Sequence, residues 1–150
     1  MKTSSDAALI LWNADVIQIV SWVLHQRQIK SCGLEPSEGR ERMEDLIVSS
    51  GATVVVIDLE PPYDRSAALA MHLLLRFPDR YFVMTCADRV LAIKCAPWLS
   101  KFSLFQKPYD VDVVADTVRA MVEKASRTAV LSIRACTATF NTETAPRDTC

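Results

Sequence analysis

The chain has 150 residues, half of them apolar and 23% charged, with a formal net charge of -1. That length carries one domain with a substantial core, and the near-neutral balance, with no block of Lys or Arg, excludes direct nucleic-acid binding through clustered positive charge. No stretch approaches the ~20 unbroken apolar residues of a membrane helix, and the apolar run Ala7–Trp12 after a polar start is too short for a signal-peptide core.

Ala8–Trp12 is a short apolar run of the kind that forms a buried strand. Asp15 is placed to cap a helix in which Ile17, Val20 and Leu24 recur at helical spacing. Gln28–Cys32 alternates as an edge strand does, and Pro36 and Ser37 open a second helix with Met43, Leu46 and Ile47 inward, closed by Ser49-Ser-Gly51. Thr53–Ile57 is five consecutive β-branched residues, which predicts a strand buried on both faces. After the breaker Glu60-Pro-Pro-Tyr-Asp64, Ser66 starts an Ala- and Leu-rich helix that ends at Pro78. Arg80–Met84 reads as the fourth strand, Val90–Ala96 as a short fourth helix and Lys101–Gln106 as the fifth strand. Asp110 caps a last helix with Val114, Val118 and Met121 on one stripe.

Strand and helix thus alternate five times between an N-terminal extension (1–7) and a tail (128–150), making 8–127 the domain. The tail has six Thr, one Pro and no sustained periodicity, so it is expected to be flexible. Parallel strands need crossover connections of one hand, so the alternation predicts an open α/β sheet, doubly wound, with helices on both faces. The functional crevice of such a sheet lies at the carboxyl ends of its strands. The five cysteines (Cys32, Cys86, Cys95, Cys136, Cys150) are odd in number and contain no CxxC pair, which fits free thiols in a reducing cytoplasm.

The strand ends carry Trp12-Asn13, Asp58, Thr85 and Lys107-Pro108. Here the sequence resembles the receiver domains of two-component response regulators. Val54-Val-Val-Ile-Asp58-Leu-Glu-Pro-Pro62 resembles the phosphoacceptor strand and loop, with Pro four residues after the Asp. Met84-Thr85-Cys-Ala87 resembles the fourth-strand motif, and Phe105-Gln-Lys107-Pro108 the fifth-strand Lys-Pro signature. The resemblance spans about Ala8 to Ser126. It implies a flavodoxin-like (CheY-like) sheet of five strands in the order 2-1-3-4-5. It also implies that Asp58 accepts a phosphoryl group, Thr85 contacts it and Lys107 pairs with it, beside Mg²⁺ that cancels charge repulsion in the transfer.

Two positions depart from that pattern. An ungapped match of Leu9–Asn13 to the family's first strand puts Trp12 and Asn13 where an acidic pair helps hold the metal. Mg²⁺ wants oxygen ligands and one or two carboxylates; Asn13 keeps an oxygen without charge, and Trp12 offers an N–H and bulk. The expectation is weak Mg²⁺ binding, no dedicated cofactor, and a degenerate metal site in which Asp58 and Glu60 are the remaining carboxylates. Asp15 is the other candidate replacement ligand, against its plainer role as a helix cap. The second departure is Leu104, where the family has a switchable aromatic three residues before the Lys; Phe102 and Phe105 flank it.

The plainer reading of Lys107 is a structural partner of Asp58, and that of Trp12 a large strand-end residue or a plug for the former metal pocket. His25 and His72 read as surface residues. Cys86 stands next to the crevice but has no neighbouring His to activate its thiol. The leading expectation is a cytoplasmic, non-enzymatic receiver-like protein with no output domain of its own. It would act on a protein partner (a sensor histidine kinase, another regulator or its own copy) through the fourth helix, fifth strand and fifth helix. A working phosphoacceptor switch at Asp58 is the second reading. An unrelated α/β enzyme is the third, disfavoured because only three Gly are present and no nucleophile–base constellation appears.

Overall fold

The β-branched run in the middle of the chain forms the centre of a five-stranded parallel sheet. In the computed structural model, which describes residues 4–143, β3 (Val54–Leu59) is buried at all six positions. It lies between β1 (Ala7–Ile10) and β4 (Tyr81–Cys86); β2 (Ser31–Leu34) flanks β1 and β5 (Ser103–Gln106) flanks β4, giving the order 2-1-3-4-5. The register aligns Ile10 with Leu34 and Ile57, and Asp58 with Thr85.

Side chains alternate across the sheet, so each strand feeds two cores. Ala8, Ile10, Val55, Ile57, Leu59 and Met84 pack with Met43 and Ile47 of α2 (Arg40–Ser50) and with Ala67, Ala70 and Leu73 of α3 (Tyr63–Arg76). Ala92 of α4 (Arg89–Cys95) joins that layer. Leu9, Val54, Val56 and Val83 pack on the other face with Val20 and Leu24 of α1 (Ala14–Gln26) and with Val114, Ala115 and Val118 of α5 (Val111–Glu143). Helices therefore cover both faces of the sheet, as the alternation of elements predicts.

Several boundaries differ from the sequence reading, each for a local reason. The cap of α1 is Asn13 rather than Asp15: the Asn13 carboxamide oxygen accepts the Asp15 backbone N–H at 2.8 Å. Residues 27–29 are spent terminating α1, their N–H groups donating back to carbonyls of Leu24 and His25, so β2 starts at Ser31 instead of Gln28. Pro36–Glu38 forms a separate 3-10 turn before α2, which ends on the left-handed Gly51 at φ 67°. A left-handed residue ends a helix most cheaply when it is glycine. β3 continues through Asp58 to Leu59, and α3 begins at Tyr63, three residues before Ser66.

A second 3-10 turn (Pro97–Lys101) delays β5 to Ser103. The helix capped by Asp110, whose carboxylate accepts the Asp112 N–H at 2.9 Å, runs on to Glu143. The stretch expected to be a tail from Thr128 is thus helical over 128–143, and positions 144–150 of that tail, like 1–3 of the N-terminal extension, lie outside the described residues. Beyond Ala125 the described side chains of α5 are exposed.

No helix among the described residues is long and apolar enough to cross a membrane. Cys32, Cys86 and Cys95 are free thiols.

Candidate functional site

The twofold alternation that builds the core also builds the site. Asp58 follows Val56 and Thr85 follows Val83 by two residues, so both turn to the α1/α5 face where those strands end. Being register partners, they stand side by side. Lys107 follows Phe105, which packs on the same face, and its own N–H donates to the Cys86 carbonyl at 2.8 Å, extending the β4–β5 ladder.

The three side chains converge. The Asp58 carboxylate is only 3% exposed, and both oxygens are engaged. Oδ1 accepts the Thr85 hydroxyl at 3.1 Å, and Oδ2 accepts the Lys107 ammonium at 2.5 Å. Glu60, in the loop after β3, brings Oε1 to 3.8 Å from the same nitrogen, so one ammonium faces two carboxylates. Burial pulls the Lys107 pKa down, but the hydrogen bond and charge of Asp58, followed by Glu60 and Tyr109, outweigh it and hold the pKa above the ordinary value. Tyr109, two residues on, has a phenol pushed up by burial first and by the charge of Asp58 second.

Trp12 and Asn13 lie in the short connection between β1 and α1, beside this cluster. Both line an open cavity of about 540 Å³ whose floor includes Asp58, Glu60 and Lys107. Trp12 is 41% exposed and contributes to the wall of the cavity. Asn13 has its oxygen committed to the helix cap. Asp15 stands exposed on the first turn of α1, outside the lining of this cavity. Among the described residues no three His, Cys, Asp or Glu side chains come together as a metal would require.

The remaining candidates are placed elsewhere. Leu104 is buried on the α3/α4 side, while Phe102 meets Trp98 edge-on at 5.6 Å between centroids. Cys86 is fully buried, its thiol pushed up by desolvation first and by Asp58 second. A buried, protonated thiol is a poor nucleophile. His25 is exposed; His72 is partly covered and contacts Glu44 at 2.6 Å, tying α3 to α2. The sequence reading missed Val16, Ile19, Tyr109 and Val111 as cavity walls. A signal existed for two of them: Val16, Ile19 and Val20 make the apolar stripe of α1 wider than one packed face needs.

No family model matches the chain, and no curated protein does. Solved structures do match. The signal receiver domain of a LuxO repressor protein from Vibrio parahaemolyticus superposes with a TM-score of 0.66 at 12% identity, covering 85% of this chain and 97% of that one. The fold is that of receiver domains. A two-component transcriptional regulator of the AraC type from Clostridium phytofermentans also reaches 0.66, at 10% identity, over 85% of this chain and 99% of that one. An orphan response regulator of H. pylori gives 0.59 at 12% identity, over 81% of this chain and 99% of that one. Within this receiver fold, Asp58, Thr85 and Lys107 lie at the carboxyl edge of the sheet, where ligands of open α/β sheets bind.

Proposed function

We propose that this protein is a two-component signalling element of the receiver fold that works by protein–protein contact, with Mg²⁺-dependent phosphorylation of Asp58 impaired. The single observation that carries the reading is the Lys107 ammonium 2.5 Å from Asp58 and 3.8 Å from Glu60. The negative charge of Asp58 is thus already paired by the protein's own ammonium. The donor set does not fit Mg²⁺: Asn13 spends its oxygen on the helix cap, Trp12 has none to give, and the two nearby carboxylates share one ammonium. Without that ion, attack of a carboxylate on an anionic phosphoryl donor meets uncancelled repulsion.

The contact surface in this reading is α4, β5 and α5, engaged by a sensor kinase, another regulator or a second copy. Val90 and Leu91 on α4 support it, being 78% and 45% exposed.

The second reading, an operating switch phosphorylated at Asp58, draws support from the convergence of Asp58, Thr85 and Lys107. Incubating the protein with acetyl phosphate and millimolar Mg²⁺, and weighing it by intact mass spectrometry, separates the two. The expected spectrum is that of unmodified protein. A phosphorylated species that disappears in Asp58→Asn replaces the first reading by the second.

A further inference from the structure

We propose that the cavity beside Asp58 is a binding site for a small amphipathic organic cation: an apolar, preferably aromatic body carrying one ammonium or amidinium group. The inference rests on the reading that Lys107, and not a metal, neutralises Asp58.

Three observations carry it. The volume, about 540 Å³, lies within the range of small-molecule sites. Its walls are apolar and aromatic, drawn from Trp12, Val16, Ile19, Tyr109 and Val111, and Ile19 stands 53% exposed although its side chain is large. Its floor is charged and unbalanced: Asp58 and Glu60 contribute two negative charges and Lys107 one positive, leaving a net -1. Asp58 has both oxygens occupied, whereas Glu60 is 43% exposed and meets the ammonium through Oε1 at 3.8 Å, so its solvent-facing carboxylate can pair with a second cation as well. Trp12, 41% exposed, offers an indole face beside it, which attracts cations through the ring quadrupole.

The other hollows fit this chemistry less well. A smaller cavity of about 220 Å³ also has Trp12, Asp58 and Glu60 in its lining, with Arg65 as its cation, but it has less than half the volume. A broader one of about 650 Å³ between α1 and β2 is edged by the exposed Asp15, His25 and Lys30, with no buried charge at its base.

The test is a set of NMR titrations of the whole, ¹⁵N-labelled protein with three probes of one shape: phenethylammonium, the neutral 2-phenylethanol and the anionic phenylacetate. The Trp12 indole signal is assigned by its loss in Trp12→Phe. Phenethylammonium is expected to shift that signal and the Tyr109 amide saturably, with a Kd of about 1–10 mM for so small a probe. The alcohol should bind at most about fivefold more weakly, the limit for one solvent-exposed ion pair, and phenylacetate should not saturate. Glu60→Gln, a loop substitution, should weaken phenethylammonium by up to about fivefold and leave the alcohol unchanged. The proposal is overturned by equal response to all three probes, by no saturable shift at Trp12 below ~20 mM, or by a Glu60→Gln protein that binds the amine as the parent does. A parallel Mg²⁺ titration keeps the two readings apart. Shifts at Asp58 and Thr85 at millimolar Mg²⁺ would refute metal-free neutralisation, whatever the amine does.

Discussion

Replacing Trp12 and Asn13 together by Asp should convert this site into one that holds Mg²⁺. Each new carboxylate about 4 Å from the ion adds on the order of 1–4 kcal/mol, depending on the local dielectric. The ion must compete with Thr85 and Lys107 for the Asp58 oxygens, which places the net gain near the bottom of that range. About 2–3 kcal/mol in total corresponds to roughly 30- to 150-fold tighter binding. The cost to the fold is moderate. Asn13→Asp preserves the α1 cap, because an Asp carboxylate accepts the Asp15 N–H as well as a carboxamide does. Trp12 is 41% exposed, so about three-fifths of it is covered. Losing about 150 Å² of apolar contact costs up to ~4 kcal/mol. Circular dichroism establishes folding first; calorimetric Mg²⁺ titration and ¹⁹F NMR of beryllofluoride loading then read the site. A folded double variant with unchanged Mg²⁺ affinity would refute the reasoning, since the missing charges would then not be what limits the metal.

Two further predictions concern the groups around Asp58. Lys107 has a raised pKa, so its contribution to stability is complete below its ordinary value of 10.5 and is lost as pH climbs through the raised one. Denaturant melts at pH 9 to 12 should therefore show a steeper alkaline loss for the parent than for Lys107→Met, and parallel curves would contradict the ion pair. Among Cys32, Cys86 and Cys95, native-state iodoacetamide should label the exposed Cys95 first, Cys32 more slowly and Cys86 last. Peptide mass spectrometry showing early labelling of Cys86 would mean that the β4 end opens readily.

The sheet was legible because β3 is a run that only a doubly buried strand tolerates, and because strand polarity sends Asp58, Thr85 and Lys107 to one edge. What stayed hidden depends on single dihedral angles or on segments far apart in the chain. Asn13 and Asp15 are both good caps by composition, and only the backbone geometry selects Asn13. The first turn of α3 holds Tyr63, a bulky ring that reads as loop after two prolines. It is recruited because the ring is buried and its hydroxyl accepts the Asp88 N–H at 2.9 Å. The Thr-rich stretch from Thr128 lacks an apolar stripe, so periodicity is silent there, while the docked half of α5 supplies the nucleus that propagation needs. The cavity was invisible because Val16 and Ile19 meet Tyr109 and Val111 only after folding.

The length of α5 has a mechanical consequence. From Ala125, beyond which the described side chains are exposed, to Glu143 is 18 residues of continuous helix, a length of about 27 Å. Its base is gripped on two sides: Arg27 of α1 bonds Asp112 and Asp116 at 2.8 Å each, and Lys124 lies over the Tyr81 ring of β4 at 5.5 Å. Tyr81 opens the strand that carries Thr85. A tilt of only ~10° at that grip sweeps the far end through about 5 Å by simple leverage over a helix of this rise. Displacements too small to break a single hydrogen bond at the sheet thus become, at the tip of the helix, as large as the spacing between neighbouring strands.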